Sequence, residues 1–218
     1  MTSGSPCRSK RIGNSRTSGG VARGACTVVL LAFGYASGSD AAPDLLRVDP
    51  ELSTAEFAVS YAGVFRQQGR FGRTEGTVVL DPEEDTGAID LIVDAKSIDT
   101  GWSVGDAWLQ SEDMFDVARF PVIRFRSTQL SFDHARLVGV AGWLTLRGVT
   151  HPVKLEIRRM ECGRELDAGR EGCDAVAVSR IKRSDYGLSW GLGFIGDDID
   201  LNFRVTASRI DPHSASRQ

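Results

Sequence analysis

Alternation of apolar and polar residues at a period of two constrains this chain more than any other feature. Ile89, Leu91 and Val93 alternate with Asp90 and Asp94, and Val153, Leu155 and Ile157 alternate with Lys154, Glu156 and Arg158. Near the end, Ile199, Leu201, Phe203 and Val205 alternate with Asp198, Asp200, Asn202 and Arg204. Successive side chains of a strand point to opposite faces, so these runs are strands with one apolar and one wet face. Residues 45–62, 74–80, 122–128, 137–146 and 174–182 also read as strands. Turns such as 81–85 and Gly148 separate them. The total is about eight or nine short strands, a pattern of antiparallel sandwiches and barrels. Twenty-four glycines suit the bends and bulges of a strongly curved sheet.

One stretch breaks the pattern. Residues 102–120 read as a helix, with Ser103 and Asp106 fitting a capping box and Trp108, Leu109 and Phe115 placing apolar bulk on one side. Phe120-Pro121 is expected to end it, because the residue before a proline is pushed out of the helical region. A lone helix feeding into a strand at Val122 is the pattern of a plug or lid on a barrel. An eight-stranded barrel is just wide enough to be packed solid or to hold one small ligand. Periodicity leaves both open.

The 218 residues divide at 42. Residues 1–23 carry five basic groups and no acid, residues 25–36 are an apolar run of twelve, and residues 37–42 are mostly small. That order is a secretory signal peptide, and twelve residues fall short of the ~20 needed to span a bilayer. The expected organisation is a leader over 1–42, a barrel domain over 43–210 and a tail over 211–218, placed in the periplasm or secreted after cleavage. Removing the leader takes away five basic groups and one acid, which moves the formal charge from −3 to −7. An acidic domain is not a nucleic-acid binder by bulk electrostatics, and nothing remains to insert stably in a membrane. Two of the four cysteines lie in the leader. Cys162 and Cys173 flank a polar loop, and an oxidising compartment favours a disulfide stapling the base of that hairpin over a pair of unrelated thiols.

Several constellations resemble catalytic or ligand sites by spelling. Gly187-Leu188-Ser189-Trp190-Gly191 matches a nucleophile elbow, with Asp200 and His213 following in order. That elbow needs a strand-turn-helix setting, and Gly191, Gly193 and Gly196 do not continue as a helix. Residues 191–196 spell a dinucleotide fingerprint, but a strand and two acids follow where a helix N-terminus is required. Asp113 and Asp116, with Glu112, form a carboxylate cluster that can do acid/base work only if burial separates their pKa values. Beside a helix end such acids more often meet solvent or backbone. The alternative functions are a hydrolase using Ser189 or the Asp113/Asp116 pair, and a structural or stress-response barrel with a solid core. His134, His151 and His213 are scattered without metal-ligand spacing, so no metal or cofactor site is expected. Arg66, Arg70 and Arg73 are candidates for an anionic head group, or else charges that keep an edge strand from aggregating.

Four pieces together resemble the YceI-like family. They are Val48-Asp49-Pro50 with Ser53 and Phe57; Asp106, Leu109, Ser111, Asp113, Phe115, Asp116 and Phe120-Pro121, with Ile123 and Phe125 after them; residues 142–153, which carry Leu144-Thr145-Leu146-Arg147-Gly148; and Arg183-Ser184-Asp185-Tyr186-Gly187. They fall in the expected order across residues 46–208. The resemblance implies an all-β, lipocalin-like antiparallel barrel of about eight strands with a helix packed at one end. It also implies a non-enzymatic, exported and often homodimeric protein whose apolar tunnel holds a polyisoprenoid or similar long-chain amphiphile. The paired cysteines depart from the family pattern. Read from facing alone, the tunnel-lining candidates are Phe57 and Val59, then Phe125, Leu144, Leu155 and Ile157, then Leu201 and Phe203. Any of these fits a solid core equally well. Gly139 and Ala141 are the small residues expected to leave room.

Overall fold

The computed structural model describes residues 43–166 and 170–210. The leader read over 1–42 and the tail over 211–218 lie outside them. The first expected strand, over 45–62, is broken into β1 (Asp44–Val48) and β2 (Thr54–Tyr61). Pro50 has no N–H for a ladder, and Asp49 caps the turn by accepting from the N–H groups of Glu51 (2.9 Å) and Leu52 (3.2 Å). The chain then bends again in the same way. β3 (Phe65–Phe71) gives way at Gly72-Arg73 to β4 (Thr74–Asp81), and β5 (Thr86–Asp94) passes through a one-turn 3-10 helix to the two-residue β6 (Ile98–Asp99). β7 (Val122–Asp133), β8 (Arg136–Leu146), β9 (Val149–Leu166), β10 (Arg170–Lys182) and β11 (Ile195–Arg209) run unbroken.

All the ladders are antiparallel. β2 pairs with β3 and β1 with β4, so each of these broken strands serves as one stave, and β5 with β6 makes the third. β11 closes the circle by pairing with β1 at one end (Val48↔Ala207) and with β2 at the other (Thr54↔Arg204 to Tyr61↔Ile195). Among the described residues this is an up-and-down barrel of eight staves built from eleven strands. Closure removes the sheet edges except beside β6.

The ladder between β5 and β7 stops at Asp94↔Val122, and β6 pairs with β3 alone. The wall is therefore incomplete at that end. The helix α1 (Ser103–Gln110) and the turns after it lie there. α1 is shorter than the sequence predicts. Ser103 is its first residue and not its cap; Asp106 instead accepts from the Thr100 N–H (2.8 Å) and hydroxyl (2.6 Å), tying the helix to the end of β6. Ser111 ends it, donating its hydroxyl to the Trp108 carbonyl at 2.6 Å. Phe115 thus lies in a turn, seven residues before β7 begins at Val122 and pairs with Asp94.

At the opposite end the barrel is packed solid by Leu46, Val48, Leu80, Leu91, Leu130 and Val140. Cys162 and Cys173 form a disulfide there, directly opposite each other in the β9–β10 ladder. The bridge was expected at the base of a polar loop. The strands continue past it to Leu166 and Arg170, because polar residues also pair through their backbones, so it lies within the ladder. Gly139 and Ala141 are not inner-face residues either. A bulge in the β7–β8 ladder shifts the alternation, so that Leu137, Val140, Gly142 and Leu144 are the buried positions. The room at Gly142 is taken by the ring of Phe125.

Candidate functional site

The inner faces of the staves enclose an apolar cavity between the packed core and α1. β2 contributes Ala55, Phe57, Val59 and Tyr61, and β11 contributes Ile195, Ile199, Leu201 and Phe203. Phe71 of β3, Val93 of β5, Ile123 of β7, Leu144 and Leu146 of β8 and Ile181 of β10 continue the wall. Trp108 and Leu109 of α1, with Met114 and Phe115 from the following turns, close it from above. The Phe71 ring meets that of Phe57, tilted, at a centroid distance of 5.7 Å and that of Phe115, edge to face, at 5.4 Å. Gly69 lies opposite Phe57 in the ladder, and the Phe57 ring occupies the place where a side chain at 69 would lie. The cavity measures about 110 Å³. A dry cavity of ~150 Å³ accepts benzene, so this space is on the scale of one isoprene unit.

Of the tunnel candidates, Phe57, Val59, Leu144, Leu201 and Phe203 line this cavity. Phe125 and Leu155 are buried in the packed core, and Ile157 lies partly buried against it. Further strand residues such as Tyr61, Phe71, Val93, Ile123 and Ile181 also line it, as do those of α1 and its turns with Leu188 and Arg183. The contact of the latter group depends on where a loop folds over, and period-two alternation carries no signal for that.

Arg183 is the charged side chain in the wall that is itself buried. Its Nε donates to the Gly196 carbonyl (2.9 Å), Nη1 to Leu188 (2.6 Å) and Trp190 (2.8 Å), and Nη2 to Ile195 (3.1 Å). One guanidinium thereby holds the whole 187–196 loop in place, and burial lowers its pKa. Burial pushes Asp197 up, but the backbone and hydroxyl hydrogen bonds of Ser184, at 2.9 and 2.8 Å, outweigh it and hold that carboxyl low. These contacts explain the Arg183-Ser184-Asp185-Tyr186-Gly187 stretch: it is the anchor of a loop at the cavity mouth. Once buried, its five N–H groups demand carbonyl partners, and the adjacent glycine-rich loop supplies them.

Arg66, Arg70 and Arg73 do not converge on the cavity. They lie on or just after β3, exposed, and each pairs with a different acid: Asp200 at 2.6 Å, Asp99 at 2.9 Å and Glu51 at 2.8 Å. Ser189 follows the 3-10 turn of residues 183–186 and leads into further turns and β11, so the strand-turn-helix setting of an elbow is missing. Asp200 is clamped by Arg180 and by Arg66, both at 2.6 Å, and these hydrogen bonds keep its carboxyl ionised below the usual range. His213 lies outside the described residues. Asp113 is exposed, whereas Asp116 is buried and meets Arg119 at 3.4 Å. No group of three or more potential metal ligands occurs among the described residues. The site's chemistry is therefore that of an apolar enclosure.

Comparison with known proteins agrees with this architecture. The family model for the YceI-like domain matches residues 46–207. Protein YceI of Escherichia coli O157:H7 is 30% identical over 174 residues, covering 78% of this chain and 90% of that protein. Among solved structures, BcnA of Burkholderia cenocepacia superposes with a TM-score of 0.59 at 20% identity, covering 73% of this chain and 98% of that one. A polyisoprenoid-binding domain from Saccharophagus degradans, implicated in plant cell wall breakdown, superposes with a TM-score of 0.57 at 20% identity, covering 77% and 99%. At such identities the two structures attest the fold.

Proposed function

Because the chain belongs to the YceI-like family, we propose that it is an exported, non-enzymatic binding protein that shelters the apolar chain of a polyisoprenoid or similar long-chain amphiphile. The observation that carries this reading is the cavity wall, built almost wholly from aliphatic and aromatic side chains and closed by a helix instead of a strand. Burying hydrocarbon in such a wall is favourable by ~25 cal/mol per Å² removed from water. The binding activity of the S. degradans domain lends support from the same fold. The leader over 1–42 supports a periplasmic or secreted location.

A long chain needs more than about 110 Å³. The side chains with freedom to yield are those of α1 and its turns, because ladder hydrogen bonds do not hold them. Trp108, Leu109, Met114 and Phe115 move outward as the chain enters, lengthening the cavity toward the 187–196 loop. The test is native mass spectrometry of protein purified without detergent, followed by organic extraction. The expected result is a mass increment matching a long-chain lipid recovered in the extract. The bare polypeptide mass, with no retention of isoprenoid or fatty-chain probes, overturns the proposal.

A further inference from the structure

Two loops beside the cavity mouth carry no charge. Residues 61–65 (YAGVF) form the β2–β3 turn, and residues 187–196 (GLSWGLGFIG) join the 3-10 turn to β11. They touch: the Ala62 N–H donates to the Phe194 carbonyl at 2.7 Å, and the Tyr61 and Phe194 rings meet edge to face at 6.3 Å. The large side chains on these loops point to solvent, with Val64 78% exposed, Phe65 73%, Phe194 65% and Trp190 55%. Trp190 in turn meets Trp108 of α1 at 4.8 Å, and Val104, one helical turn earlier, is exposed as well. The result is a continuous apolar rim. Tyr61, Trp108 and Ile195 belong both to this rim and to the cavity lining.

We propose that this rim is a docking surface for a lipid bilayer, on which the mouth opens directly into the hydrocarbon that supplies and receives the bound chain. The inference rests on the carrier reading above. Three observations favour a bilayer. The rim is continuous with a cavity whose proposed occupant partitions into bilayers. Its aromatic and aliphatic side chains sit on turns whose carbonyls at Leu188, Trp190 and Phe194 are already hydrogen-bonded within the protein, so the side chains can insert shallowly at a membrane interface without exposing those carbonyls unpaired. Neither rim loop itself carries a charge that would give a protein partner a polar, specific contact within the apolar surface.

The test titrates the full chain with phosphatidylcholine vesicles whose acyl chains carry bromine, reading quenching of tryptophan emission, and repeats it at high salt. Three of the four tryptophans, 102, 108 and 190, lie in α1, at its N-terminal flank or on the 187–196 loop. Strong quenching that is insensitive to salt is expected. The triple variant Phe65→Ser, Leu192→Ser, Phe194→Ser should need roughly tenfold more lipid for the same quenching, since three apolar side chains no longer leave water. Native mass spectrometry of the same samples separates the two readings. Retained lipid with no quenching, or with equal quenching of wild type and variant, overturns the docking surface and leaves the carrier intact. Quenching confined to anionic vesicles and abolished by salt also overturns it. So does a concentration-dependent dimer that the triple variant abolishes without changing quenching, which assigns the rim to a second copy. Absence of any retained lipid overturns the carrier reading and this inference with it.

Discussion

The Tyr186 hydroxyl is buried and meets no hydrogen-bond partner among the described residues, with the His151 ring packed edge to face at 5.2 Å. Burial raises its pKa from 10.0 to about 12, so the neutral phenol is the form the fold accommodates. A group whose folded pKa lies above its unfolded value contributes stability that is complete below the unfolded value and disappears as pH rises toward the folded one. The window here runs from about pH 10 to about 12, and its amplitude is at most about 3 kcal/mol at ~1.4 kcal/mol per pKa unit. Denaturant unfolding of wild type and Tyr186→Phe across that window should show a steeper alkaline decline in the wild type. At neutral pH the variant should match or exceed it, because an unsatisfied buried hydroxyl is removed. Parallel declines in the two proteins would refute the assignment. Neighbouring Arg183 is the opposite case, a buried polar group with four carbonyls in hand. Both residues stand in a stretch that the sequence marks by spelling alone. Arg183 is buried where the 187–196 loop folds back over it and Tyr186 where it packs against His151 of β9, contacts that period-two alternation does not encode.

Among the elements, the unbroken strands were the most legible, because each has one face in water and one in the core. The broken staves were less so. Pro50 and Gly72-Arg73 interrupt the ladder without interrupting the alternation, so pattern alone merges β1 with β2. The helix is shorter than its apolar spacing implies: residues 111–120 keep that spacing, yet Ser111 draws the chain into turns by bonding the Trp108 carbonyl. The β9–β10 hairpin illustrates a further limit, since its polar tip hides strand pairing that only backbone hydrogen bonds reveal. Its disulfide closes a segment with a sequence separation of 11, for which loop-closure entropy sets a ceiling of about 3 kcal/mol. Cys162→Ser with Cys173→Ser should lower the melting temperature accordingly, and reductant should do the same to the wild type but not to the variant. Lipid retention should be unchanged. The bridged end of β10 pairs with Ala207 near β1, whereas β10 meets the cavity at its other end through Ile181. Lipid lost together with the bridge would mean that the two ends of the barrel are coupled.

At the scale of the molecule, one barrel performs two tasks by dividing its interior along its axis. Toward β1 and β4 the inner faces interlock; toward β2, β3 and α1 they leave a cavity whose roof is held by side-chain contacts and not by a ladder. Alternation tells which residues point inward but not at which level they meet a solid core or a space, which is why Phe57 and Leu155 looked alike in the sequence and separate in the structure. The division predicts opposite outcomes for substitutions at the two levels. Ala55, on β2 opposite Phe71 and Phe203, lines the cavity, so Ala55→Leu adds hydrocarbon where space exists. Its stability should change by less than the ~1–3 kcal/mol of an overpacked core, while the lipid retained per protein falls about tenfold. Leu155→Ala removes hydrocarbon from the packed level and should cost about 2–5 kcal/mol, with retention unchanged in the protein that remains folded. Thermal unfolding and lipid extraction on the same two preparations read both effects. If Ala55→Leu destabilises as strongly as Leu155→Ala and retains its lipid, the cavity is not where the chain resides.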